Sequence, residues 1–354
     1  MIDPGENTSV PGIEAPFEPV EGGVNPVLER LHLAHGARLR RVRVAVLLAG
    51  VTWLPLLILP AVEGVAWGDG VQVPFVKDFL PYGQLLVAVP ALVLGELMIG
   101  RLVMGAADEL RTSGVLDSKD MHVLDTVLWR ALRRWRGQTI NLVLLVVTCS
   151  ATALSLWGAR EWLTGGWQVA GERMAPAGWW YLLVSLPVLR FLELKWLWRL
   201  LLWAWVLWRV SRLELHPRPA HPDRAGGLAF LGDTQTAFGV LVFALGIQLS
   251  CLIADAISFR GSELTAFRGH VLAFIVIVLV VLLLPLLAFA PKLARAREEH
   301  LLFLSRSGYR GAGYLEGKLC TSEMGELPTD EVSGLADFGV LYENARLMRP
   351  LPLE

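Results

Sequence analysis

Six stretches of predominantly apolar residues, each long enough to cross a bilayer, constrain this chain more than any other feature. A spanning helix needs about 20 such residues to cover roughly 30 Å of hydrocarbon. The stretches run over residues 44–65, 82–104, 139–157, 179–210, 228–257 and 271–290. Composition agrees: 54% of the residues are hydrophobic and only 18% charged, and no ordinary soluble core absorbs that excess. The sequence therefore predicts an all-α, polytopic membrane helical bundle of about six spans.

Basic residues set the expected orientation, because short loops that stay in the cytoplasm keep an excess of Lys and Arg. Arg38, Arg40, Arg41 and Arg43 precede the first stretch, and Arg101, Arg111, Lys119, Arg130, Arg133, Arg134 and Arg136 fall between the second and third. Arg209, Arg212, Arg218 and Arg224 follow the fourth, and Lys292, Arg295, Arg297, Arg306 and Arg310 follow the sixth. The alternate connections hold only Lys77, then Arg160 and Arg173, then Arg260 and Arg268. With six spans every basic loop lies on one side, which predicts both termini in the cytoplasm. Splitting the long fourth stretch would reverse the loop after it, so Pro187 is expected to kink one helix.

Three polar pieces complete the organisation: residues 1–43 with an amphipathic helix over 25–43, an amphipathic segment over 121–135, and a tail over 292–354 with a second helix after Thr329. The first forty residues lack the basic-then-apolar pattern of a signal peptide, so the first apolar helix is expected to stay as an anchor. A net charge of -1 gives no global attraction to nucleic acid, and the three cysteines form no CxxC pair.

Ionisable groups inside spans are costly and mark candidate sites. Arg190 and Glu193 share a face of the fourth stretch, and Lys195 and Arg199 share another. Glu96 in the second stretch, with Asp233 and Asp255 in the fifth and Gln235 and Gln248 between them, supplies candidate partners for Arg190 and Lys195. Glu96, Arg190, Glu193, Asp233 and Asp255 are the candidates for a polar path. Two plainer readings stand beside it: static pairing that fixes helix packing, and Lys195 and Arg199 reaching headgroups within a belt of tryptophans.

The string LELHPRPAHPDRAGGLAFLG over 213–232 is the most distinctive local motif. Asp223 is placed to cap the following helix, with the glycines giving a tight turn. Arg218 and Arg224, with the backbone N–H groups of Gly226 and Gly227, form a candidate anion or headgroup site at a helix start. His216, His221 and Asp223 carry metal-binding atoms, but at a spacing no standard metal site uses. No cofactor is expected. Nucleotide-binding, zincin and nucleophile-elbow motifs are absent from the sequence, which disfavours an ordinary enzyme.

This string, the WRLLLWAWVLWRVSRLEL before it, the APKLARAR after the last stretch and the closing ADFGVLYENARLMRPLP together resemble an uncharacterised family of bacterial multi-pass inner-membrane proteins. The resemblance covers most of the chain from Trp179 onward. It implies a bacterial inner-membrane location and carries over no catalytic residue. The sequence thus leaves three readings: an oligomeric ion channel or small transporter; a signalling or scaffold protein holding a lipid headgroup, nucleotide or protein at the HPDRAGG loop; and a metal-dependent membrane enzyme. The lipid bilayer, further copies of the chain and an anionic lipid or phosphate are the expected partners.

Overall fold

A computed structural model describes residues 37–67, 71–135, 137–162, 166–170, 173–219, 221–321, 339–349 and 351–352. Its helices are α1 (Ala37–Val62), α2 (Phe79–Thr112), α3 (Ser118–Trp135), α4 (Gln138–Trp162), α5 (Pro176–Val210), α6 (Phe230–Arg260), α7 (Leu264–Leu287) and α8 (Ala290–Thr321). A short helix over 339–346 follows. The only paired strands among the described residues are two of two residues each, Val169–Ala170 and Arg173–Met174.

Five helices, α1, α2, α5, α6 and α7, are long and apolar enough to cross a membrane, and a sixth is counted if the bent pair of α3 and α4 forms one span. The chain thus has the helix content of a multi-pass integral membrane protein. The expected amphipathic helix over 25–43 falls mostly outside the described residues; its last residues open α1. The expected helix after Thr329 is described only from residue 339.

Helix α5 runs unbroken from Pro176 to Val210, so the long fourth stretch is one helix. Proline removes one N–H and crowds the carbonyl four residues earlier. The backbone absorbs this by widening into a π-helical stretch over Tyr181–Ser185, just before Pro187. Helix α2 does the same over Tyr82–Ala88, around the carbonyl that Pro90 would crowd. Such widened turns concentrate at functional sites, and here they carry Gln84 and Tyr181.

The core lies where α2, α5 and α6 meet, with α1 packed along α2. Close approach depends on Gly95: a Cβ there would lie 2.8 Å from Val240 and 2.9 Å from the Trp196 ring. Trp196 is fully buried and donates its indole N–H to the Leu92 carbonyl at 2.9 Å. By contrast α7 has only 6% of its apolar window buried and turns the rest of its surface outward. With lipid as solvent, that exposure carries no hydrophobic penalty.

Candidate functional site

Three layers of buried polar groups are stacked along α2, α5 and α6, the helices that form the core. At the end where α2 begins, Asp78 is buried and accepts from the Trp167 indole N–H at 2.8 Å. Asp255 on α6 accepts from the backbone N–H groups of Phe79 and Leu80 at 2.9 and 3.2 Å, capping α2 from outside its own chain segment. The two carboxyl groups are themselves within hydrogen-bonding reach. Burial pushes the Asp78 carboxyl up to about 7, against the Trp167 hydrogen bond and with help from the neighbouring Asp255 charge.

The middle layer is an unbroken side-chain network. The Tyr181 hydroxyl donates to Gln84 Oε1 at 2.6 Å, and Gln84 Nε2 faces Gln248 Oε1 at 3.5 Å. Gln248 Nε2 donates to Glu193 Oε1 and to its own-helix carbonyl at Ala244, and Arg190 closes the series on Glu193 Oε2 at 3.0 Å. Tyr181, Gln84, Gln248 and Glu193 are all buried, whereas Arg190 is half exposed. Trp167 joins this layer to the first: its ring meets that of Tyr181 edge-on, with centroids 5.8 Å apart, while its N–H serves Asp78.

The third layer gathers charge. Glu96 on α2 pairs with Arg41 of α1 and with Lys195 and Arg199 of α5, the last two at 3.0 Å each. Arg199 Nη1 stands at ion-pair distance without hydrogen-bond alignment. Its guanidinium also lies over the rings of Trp135 and Trp196, at 5.0 and 5.8 Å from their centroids. Three cations thus share one carboxylate in a nearly dry setting.

Of the polar-path candidates, Glu96, Arg190, Glu193 and Asp255 fall in these layers. Asp233 does not: it is exposed in the first turns of α6, where its backbone carbonyl takes the Thr236 hydroxyl. The residues that sequence reasoning missed are Asp78, Gln84, Trp167, Tyr181 and Arg41 as a partner of Glu96. Gln84 and Tyr181 had a usable signal, since each stands within six residues before a proline in a spanning helix. Asp78 and Trp167 lie in loops, and nothing in the sequence aims them at each other.

The HPDRAGG loop is built around Asp223. Its Oδ1 accepts from Ala225 N at 2.9 Å and Gly227 N at 3.1 Å, its Oδ2 from Ala229 N at 3.2 Å, and His221 Nδ1 lies 2.8 Å from Oδ1. Burial works against ionisation here, but these N–H donors and the His221 ring win and hold the carboxyl below its usual range. The Gly227 N–H is therefore already taken by the protein. Arg218 and Arg224 are exposed, and Arg224 adopts a left-handed φ of 54°.

Gly226, at φ 69°, leaves space that Met348 of the closing segment fills: a Cβ would lie 2.8 Å from Met348 Cε. The Arg349 N–H also donates to the Arg224 carbonyl at 2.7 Å. The loop thus docks the end of the chain. His216 lies 4.0 Å from Asp117, apart from the His221 and Asp223 pair, and no three His, Cys, Asp or Glu side chains converge on a metal position among the described residues. No family model, curated protein or solved structure matches the chain.

Proposed function

We propose that the chain is a six-span bacterial inner-membrane protein with both termini in the cytoplasm, and that it acts as an oligomeric ion channel or small transporter. In this reading α4 is the sixth span, and α3 lies along the cytoplasmic leaflet. The alternation of basic and neutral loops supports the orientation, and the resemblance of the segments after Trp179 supports the location.

One observation carries the functional reading: the Tyr181–Gln84–Gln248–Glu193–Arg190 network lies between two charged layers on the same three helices. Tyr181 and Glu193 are twelve residues apart on α5, and the polar atoms between them run no more than about 13 Å, part of the roughly 30 Å hydrocarbon thickness. Polar groups in such a setting cost stability and are kept where they replace the hydration of a passing ion or hand on a proton.

The test is flux across liposomes holding the purified protein, read separately with dyes for protons, monovalent cations and anions. The reading expects one of the three to exceed the empty-liposome rate, and Glu193→Gln to reduce it about tenfold or more. Flux at the empty-liposome rate for all three would overturn it.

A further inference from the structure

The seam between α3 and the last third of α5 holds more positive charge than the protein neutralises. Residues 126–138 and 194–213 contain no Asp or Glu. They contain Arg130, Arg133, Arg134, Lys195, Arg199, Arg209 and Arg212, with Arg136 outside the described residues. Of these cations, Glu96 engages Lys195 and Arg199, and it is shared with Arg41 of α1. No ion pair among the described residues reaches the other five. Four of these, Arg133, Arg134, Arg209 and Arg212, are spread over indole faces instead. Arg134 and Arg209 lie on the same ring, Trp205, at 5.1 and 5.7 Å, Arg133 lies over Trp129 at 5.5 Å, and Arg212 lies over Trp208 at 3.9 Å.

Two guanidinium groups held on one indole repel each other, and the ring quadrupole attracts each only modestly. A second sign that these cations lack an acceptor is that Arg133 and Arg134 are exposed with no ion pair among the described residues. The position in the membrane identifies what supplies the acceptor. Measured from the Asp78 end at 1.5 Å per residue, Glu96 stands about 27 Å along α2, at the far edge of the hydrocarbon. Trp205 and Arg209 lie about 9 and 15 Å beyond Arg199 along α5, outside the hydrocarbon, from where their long side chains reach back toward the headgroups. Trp129 and Trp208 are large exposed indoles beside these cations, which suits the interface between chains and headgroups.

We infer that the α3–α5 seam binds the phosphate of an acidic phospholipid in the leaflet at the basic end of the bundle. Arg134 and Arg209, stacked on Trp205, contact the phosphate through their guanidinium ends. Arg133 and Arg212 hold neighbouring headgroups, and Trp129 enters the acyl boundary. This site is distinct from the HPDRAGG loop, where the protein's own carboxylate takes the backbone donors.

The test is thermal unfolding of the detergent-purified full chain, titrated with phosphatidylglycerol, with phosphatidylcholine and with inorganic phosphate. Phosphatidylglycerol is expected to raise the midpoint by several degrees, with the rise shrinking at high salt. Arg134→Gln/Arg209→Gln should raise the half-saturating lipid concentration about thirtyfold. Arg260→Gln/Arg268→Gln, at the opposite end of the bundle, should leave it unchanged. If the first pair does not purify, the exposed Arg133→Gln/Arg134→Gln pair replaces it with the same two outcomes. An equal rise with phosphatidylcholine, an equal rise with inorganic phosphate alone, or an unchanged half-saturation in the seam variant would each overturn the site.

Discussion

The two ends of the bundle solve the burial of a carboxylate in opposite ways. At the basic end Glu96 is surrounded by Arg41, Lys195 and Arg199, so charge answers charge and an excess of cation is left over. At the other end Asp78 and Asp255 face each other with no ion pair to either among the described residues, held by Trp167 and two backbone N–H groups. The difference shows what each layer can do. A carboxylate among three cations is a fixed point of structure, because removing its charge leaves the others unopposed. Asp78, buried beside a second carboxylate, gains and loses a proton near neutral pH. Static charge thus sits at one end of the network and titratable charge at the other.

The largest expected effect breaks the fixed end. Glu96→Gln leaves three cations facing one another in a dry site, which costs about 3–5 kcal/mol. Folded yield and thermal midpoint in detergent should both collapse. Adding Lys195→Met to Glu96→Gln removes one of the repelling charges and should recover part of the loss.

The titratable end should show itself in pH dependence. Asp78 in the folded chain holds its proton to about 7, well above the ordinary aspartate range. Between those limits the folded state binds more protons than the unfolded chain, so stability is full at low pH and is lost as pH rises through about 7. Each tenfold difference in acidity corresponds to about 1.4 kcal/mol, so the total reaches a few kcal/mol. The unfolding midpoint should therefore be lower at pH 8 than at pH 5, with Asp78→Asn flattening the slope. A flat profile in the unmodified protein would remove the contrast between the ends.

A smaller effect of opposite sign belongs to Asp223, which accepts three backbone N–H groups. Its lowered carboxyl contributes stability that is present above the usual aspartate range and lost as pH falls through it. Asp223→Ala should cost about 1–2 kcal/mol, and should release the closing segment, read as faster proteolysis near Met348.

The spans were legible in the sequence because lipid demands long apolar runs, and apolar runs survive without knowledge of the partners they pack on. The pairing of Arg190 with Glu193 was legible for the same local reason, since residues three apart share a helix face. The sharing of Glu96 among α1, α2 and α5 was only half legible. Lys195 was a foreseeable partner, but Arg41 reads as an ordinary basic flank until the packing of α1 on α2 brings it in. Gln248 was legible as an amide between the carboxylates of the fifth stretch, whereas Gln84 and Tyr181 were hidden because they are neutral and stand beside no charged neighbour in their spans. Their role depends on the two π-helical stretches, which Pro90 and Pro187 impose for reasons visible in the sequence but whose alignment with each other is tertiary. The helix 121–135 was read as amphipathic, yet its arginines were not foreseen stacking on the tryptophans of α5.

Between the fixed and titratable ends stands Glu193, and the account turns on whether its network conducts. The direct measurement is proton and ion flux into liposomes by the unmodified chain and by Glu193→Gln at matched incorporation. Flux above the empty-liposome rate that falls about tenfold or more in Glu193→Gln is the predicted result. Equal flux in the two proteins, or none in either, would contradict a path through this network and leave its buried polar groups as packing alone.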